Sequence, residues 1–171
     1  MIYRDFQGLK LSGLGMGNMR LPVIDGNDAQ VDFAEAEKII DYAYEHGVNY
    51  FDTAYRYHGG DSELFVGQAL KKYPRDSFHL ATKLPIWLLE TPEDIDRIFE
   101  DQLQRLQVEY FDFYLFHNVC EMNVEQYLDE SHGIMDYLWK QKQDGRIKHL
   151  GFSVHGSFDV AQRFLAKYGD R

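Results

Sequence analysis

Four ionisable side chains stand at or just beyond the ends of successive apolar runs: Asp52 and Tyr57 after VNYFDT, Lys83 in FHLATKL, and His117 after YFDFYLF. Together they suit proton donation to an oxygen that is gaining negative charge. A phenol with an ordinary pKa near 10 is a poor acid at neutral pH, and a neighbouring ammonium lowers it. Asp52 would keep Lys83 charged and in place. His117 would hydrogen-bond the reacting oxygen and orient the substrate. Singly, each residue has a plainer reading: a capping carboxylate, an aromatic lid, a lysine snorkelling from a strand end, a satisfied core histidine. Four in order, each at a strand end, read as one catalytic constellation. Tyr55, two positions before Tyr57, reads as packing.

These residues can converge only if the strands run parallel with their carboxyl ends at a common mouth. The pattern supports that layout. Ile2 to Phe6 and Leu9 to Ser12 flank Gln7-Gly8 as a covering hairpin. SGLGMG (12–17) is a small-residue strand, and its glycines lack the spacing and immediate helix of a dinucleotide fingerprint. Asp32 caps a helix with Ala36, Ile39, Ile40, Ala43 and Tyr44 on one face and Gly47 at its stop. Strands are expected at Val48 to Thr53, Phe78 to Leu84, Tyr110 to Phe116 and Ile147 to Val154. Helices fall between them: one opening near Asp61 or Ser62, one starting at Thr91-Pro92 with Thr91 as cap, and one long helix from about Val124 to Asp144. A last helix runs from Phe158 to Tyr168 after a Ser157 cap. Strand and helix alternate five times, the pattern of an α/β fold with a parallel sheet.

Composition narrows the function. The 171 residues, 44% apolar and 15% aromatic, can fill one core. With 18 basic against 28 acidic residues the net charge is -10, which disfavours nucleic acid and anionic membranes. Cys120 is the single cysteine, so neither a disulfide framework nor an iron-sulfur cluster is expected within the chain. The histidines lack the spacing of a helical metal pair, so no metal is expected. No signal peptide or membrane span is read, and a cytoplasmic protein is expected.

The run FDTAYRY, with ATKL, LFHN and LGFS following in order, resembles the aldo-keto reductases, and the likeness extends from the opening hairpin to the last strand. The resemblance implies a (β/α)8 TIM barrel that reduces a small-molecule carbonyl, aldehyde or ketone, with hydride from NADPH or NADH, NADPH being favoured. It assigns the catalytic set to Asp52, Tyr57, Lys83 and His117, with Tyr57 the proton donor. Gly17, Asn18 and Met19, with Asp52, fall at the cofactor, and Ser153 matches the serine that holds the carboxamide. Many members carry Asn after that serine, whereas Val154 stands here. The GFSVHGS form is similar to a bacterial subgroup whose longer chains end in a ferredoxin-like segment. Five units are too few to close an eight-unit barrel of about 250 residues. Residues 1–171 therefore read as one barrel domain truncated at its C-terminus, with exposed edges open to self-association. The alternative is a catalytically silent scaffold that acts by binding a partner or itself.

Overall fold

The computed structural model describes residues 1–170. An antiparallel hairpin, β1 (Tyr3–Phe6) and β2 (Leu9–Ser12), precedes a five-stranded parallel sheet. The sheet strands are β3 (Met16–Gly17), β4 (Tyr50–Asp52), β5 (His79–Leu84), β6 (Phe111–Val119) and β7 (Ile147–Val154), each beside its sequence neighbour. Helices α1 (Phe33–Glu45), α2 (Asp61–Leu70), α3 (Asp94–Leu106), α4 (Val124–Leu128), α5 (Ile134–Gln143) and α6 (Phe158–Tyr168) lie between and after them. This is a partial (β/α)8 barrel. The hairpin closes its amino-terminal end: Phe6 packs on Phe113 and His149, and Gln7 bonds His149. Chemistry is thereby left to the opposite, carboxyl end of the strands. No helix among the described residues is long and apolar enough to cross a membrane.

Local signals explain most boundaries. The Asp32 carboxylate accepts the Glu35 amide and starts α1, and Gly47 at φ +87° follows its end. The core side is narrower than expected, since Ile39 is exposed while Ala36 and Ile40 are buried. The expected start at Thr91 is wrong. Helix α3 begins at Asp94, whose carboxylate turns back to accept the amides of Glu90 and Thr91. The long helix over 124–144 is also broken. Asp129 takes the Ser131 amide and hydroxyl, offering the backbone a partner outside the helix, and Gly133 at φ +62° restarts the chain as α5. Ser157 makes no side-chain cap; its amide goes to Glu121 instead.

Helices α2 and α3 cross at Gly67, where a methyl would sit 2.4 Å from the Arg105 carbonyl oxygen and 2.7 Å from the Leu106 backbone. Backbone cannot swing aside as a side-chain tip can. Gly67→Ala should therefore cost about 1–3 kcal/mol, seen as a lower urea midpoint at unchanged slope. An unmoved midpoint would mean that the two helices do not meet this closely.

At the amino-terminal end of the sheet, Asp112 accepts from Arg75 at 2.6 Å and from the Leu80 amide at 2.9 Å, with His79 at 3.2 Å. Burial alone would push this carboxyl up. The His79 bond, the Leu80 amide and Arg75 together outweigh it and hold the carboxyl below its ordinary range. A depressed carboxyl contributes stability above its unfolded pKa, about 4, and loses it as the pH falls through the lower folded value. Asp112→Asn should flatten the acid arm of stability measured by urea unfolding below about pH 4. An acid arm parallel to wild type would remove Asp112 from this role.

Candidate active site

Strand β4 ends at Asp52, and the next loop turns sharply through His58 and Gly59, both at positive φ, before α2 opens. That turn brings the half-buried Tyr57 over the mouth. Lys83, on the adjacent strand β5, is 5% exposed and points into the same space. Its Nζ donates to Asp52 Oδ1 at 2.7 Å, to the Thr53 carbonyl at 2.8 Å and to the Tyr57 hydroxyl at 3.3 Å. The ammonium's three donors are thus directed to three acceptors, one of them the phenol. His117 lies on β6, with its ring edge-on to Tyr57 at 5.9 Å and tilted against Trp87 at 5.0 Å. All four residues predicted from the sequence meet here. The expected strand end at Phe116 is too early, however, since β6 runs on to Val119.

Burial shapes the electrostatics. Burial first, then the Lys83 charge, and last His155 lower the His117 pKa to about 4, so the imidazole is neutral near pH 7. Its Nδ1 is buried with no hydrogen-bond partner among the described residues, which favours the tautomer carrying the proton on Nε2. Burial also pushes the Asp52 carboxyl up, against the pull of Lys83.

The residues expected at the cofactor are less uniform. Gly17 and Met19 are exposed, and a Cβ built on Gly17 would meet only open space. Asn18 is fully buried: its backbone and side-chain amides both donate to the Asp52 carbonyl, and its own carbonyl accepts from Ser62. It locks β3 to the strand end that carries Asp52. The Ser153 hydroxyl accepts the Asn118 amide at 2.8 Å and reaches the Phe116 carbonyl at 3.4 Å. Met16 packs on the core, and Trp87 and Met19 form exposed apolar rim. Tyr55 is packing, as read, under Arg105 and bonded to Asp101.

Two supports went unread in the sequence. Glu63 is buried on α2 and receives Thr82 at 2.6 Å and Gln102 at 2.7 Å, and Gln102 also reaches the Lys83 carbonyl at 3.2 Å. Burial pushes its carboxyl up to about 7. A visible clue was its place with Val66, Gly67 and Leu70 on one apolar helical face. His58 accepts the Leu21 amide at 3.1 Å and donates to the Asp28 carbonyl at 2.7 Å, pinning the loop after β3 to the loop that carries Tyr57. No local pattern announces such a clamp.

Fold and site together define a barrel of the parallel α/β kind with an ionisable cluster at the carboxyl ends of its strands. The Aldo/keto reductase family model matches residues 13–169, and the chain belongs to that family. A Glycine max protein named "Probable aldo-keto reductase 1" is 34% identical over 156 residues, which cover 86% of this chain and 42% of that protein. The holo form of an aldo-keto reductase from Bacillus halodurans superposes with a TM-score of 0.77 at 31% identity, covering 97% of this chain and 54% of the other. An aldo-keto reductase from Klebsiella pneumoniae, solved with NADPH, gives a TM-score of 0.69 at 22% identity, over 89% of this chain and 50% of its own. The chain thus spans about half the length of these relatives.

Proposed function

We propose that this chain supplies the proton-donor half of a carbonyl reductase using a nicotinamide dinucleotide. The observation that carries the reading is the Lys83 ammonium held between the Asp52 carboxylate at 2.7 Å and the Tyr57 hydroxyl at 3.3 Å. The mouth fits a flat ring: Gly17 leaves open space and the Ser153 hydroxyl lies beside His117 on the neighbouring strand. When bound, the reduced nicotinamide supplies the hydride. Tyr57 donates its proton to the carbonyl oxygen as charge develops there, and Lys83 stabilises the phenolate that remains. Asp52 and the Thr53 carbonyl hold Lys83 in place. Neutral His117 donates a second hydrogen bond to the same oxygen. Cofactor contacts are assigned to Gly17, Met19, Asp52 and Ser153, with Asn18 fixing the loop from within. The apolar rim of Trp87 and Met19 suits an aldehyde or ketone with an apolar substituent, and the proposed compartment is the cytoplasm.

A titration tests this. Saturable quenching of protein fluorescence by NADPH, with NADH in parallel, and cofactor oxidation with a model aldehyde are the expected results. A folded chain that shows neither would leave the second reading, a silent scaffold. One observation favours that reading: a groove of about 560 Å³ runs beside β7 between Phe6, Phe113, Leu115, Phe152 and Phe164, and none of Asp52, Tyr57, Lys83 and His117 lines it. If it mediates self-association, light scattering will show a dimer or larger species that dissociates on dilution.

A further inference from the structure

Side chains alternate along β5: Lys83 points into the mouth, and Thr82, one residue earlier, points to the opposite side, against helices α2 and α3. There Thr82, Glu63 and Gln102, all fully buried, form one cluster. Glu63 Oε1 accepts from the Thr82 hydroxyl at 2.6 Å and from Gln102 Nε2 at 2.7 Å. Gln102 Nε2 also reaches the Thr82 hydroxyl at 3.0 Å and the Lys83 carbonyl at 3.2 Å, and its Oε1 takes the Tyr114 hydroxyl at 2.6 Å. Pairing of β4 with β5 ends at Asp52 opposite Ala81, just before Lys83. Beyond that point the Gln102 amide braces the β5 backbone where β4 no longer does.

The other carboxylate oxygen serves the loop. Glu63 Oε2 makes no hydrogen bond among the described residues and lies 3.8 Å from Arg105 Nη1. The Arg105 guanidinium covers the Tyr55 ring at 4.2 Å, donates to the Tyr55 carbonyl at 3.4 Å and to its hydroxyl at 3.3 Å, and pairs with Asp101 at 2.7 Å. Tyr55 begins the turn that carries Tyr57. One buried carboxyl thus stands between the supports of Lys83 and those of Tyr57. The bond between these two is the sensitive one. At 3.3 Å it is the longest of the three that Lys83 makes and lies beyond the usual range of about 2.7–3.2 Å, so a small shift of strand or loop breaks it first. Stability alone does not call for a carboxyl here. Burial works against its charged form and pushes its pKa up to about 7, whereas a wholly apolar cluster would be buried without that penalty.

We infer that Glu63 is a positioning residue for the proposed reaction, holding the Lys83 ammonium against the Tyr57 hydroxyl by bracing the strand of one through Gln102 and the loop of the other through Arg105. For its effect on rate the inference rests on the reductase reading above; for its geometry it does not. The brace on the strand needs an acceptor at Oε1 and no particular charge, because a proton taken up by the carboxyl goes to Oε2, the oxygen without a hydrogen bond. Glutamine keeps that acceptor, and methionine, of similar length, does not.

The test compares Glu63→Met with Glu63→Gln in two readouts. One is turnover of a model aldehyde with NADPH. The other is the NMR titration of the His117 ring, whose pKa burial and then the Lys83 charge hold low. Glu63→Met should lower kcat about tenfold or more, with KM and the NADPH dissociation constant changed less than about twofold. It should also raise the His117 midpoint as the ammonium moves off. Removal of a carboxylate charge by itself lowers a histidine pKa, so a rise reports the ammonium and not the missing Glu63. Glu63→Gln should match wild type in both readouts. Gln102→Met cuts the link to the Lys83 carbonyl from its other end, should repeat Glu63→Met, and decides the matter if that variant does not fold. Leu70→Ala, which removes buried surface at the far end of the same helix, should lower the melting temperature and leave both readouts in place. The inference is overturned by a His117 midpoint that stays put in folded Glu63→Met, that moves equally in Leu70→Ala, or that moves as far in Glu63→Gln. Wild type that neither binds nor oxidises NADPH overturns the reductase reading alone, and the His117 titration still decides whether Glu63 places Lys83.

Discussion

Tyr57→Phe is expected to lower kcat by about a thousandfold or more while changing cofactor affinity by less than about twofold. The substitution removes one oxygen and leaves the ring, so the edge-on contact with His117 at 5.9 Å survives and the pocket keeps its shape. Lys83 is not stranded either, because its bonds to Asp52 and the Thr53 carbonyl remain. On the proposed reading, what disappears is a proton positioned for an oxygen that becomes basic only as hydride arrives. An interaction made only in the transition state appears in kcat and not in binding. Single-turnover kinetics with a model aldehyde, beside a cofactor titration of the same preparation, measures both. Retention of more than about a tenth of the wild-type rate, a loss below about 1.4 kcal/mol, would show that another group donates the proton.

Why the convergence of these four residues was legible in the sequence is a matter of layout. Apolar runs alternating with amphipathic stretches dictate parallel strands, and parallel strands bring their carboxyl ends together whatever their separation in sequence. Asp52, Lys83 and His117 needed nothing more, and Tyr57 needed only a loop short enough to turn back. The errors arose where side chains compete with the backbone. Asp129 diverts Ser131 and breaks the helix expected through 144, and Asp94 recaptures Thr91 and delays α3. Glu63, His58 and Asn118 were harder still. The hydrogen-bond partners of Glu63 and His58 lie 19 to 39 and 30 to 37 residues away, and the Ser153 hydroxyl that takes the Asn118 amide lies 35 away, on elements that meet only after folding. Asn18 was placed in the loop expected at the cofactor, and its side-chain amide turns inward to the Asp52 carbonyl, locking the short β3 where its ladder ends.

Lys83→Met carries the other large effect, and it can be read in two independent ways. Methionine is close to lysine in length and suits a site 5% exposed, so the fold should persist. The charge is lost, however, and the phenolate that the proposed proton donation leaves on Tyr57 then lacks the ammonium that faces it at 3.3 Å. Removal of one such stabilising partner in an enclosed site costs about 10²- to 10³-fold in kcat. The second readout needs no turnover. Burial lowers the His117 pKa to about 4, and the Lys83 charge is the next contributor. With methionine in place the burial remains and the repulsion goes, so the His117 pKa should move back up from that value, observable as a shifted titration of its ring carbon by NMR. Tyr57→Phe, which removes no charge, should leave that titration in place. Loss of rate without a shift at His117 would mean that Lys83 acts on Tyr57 alone. A shift without loss of rate would mean that the ammonium lies in the cluster but takes no part in the proton's path.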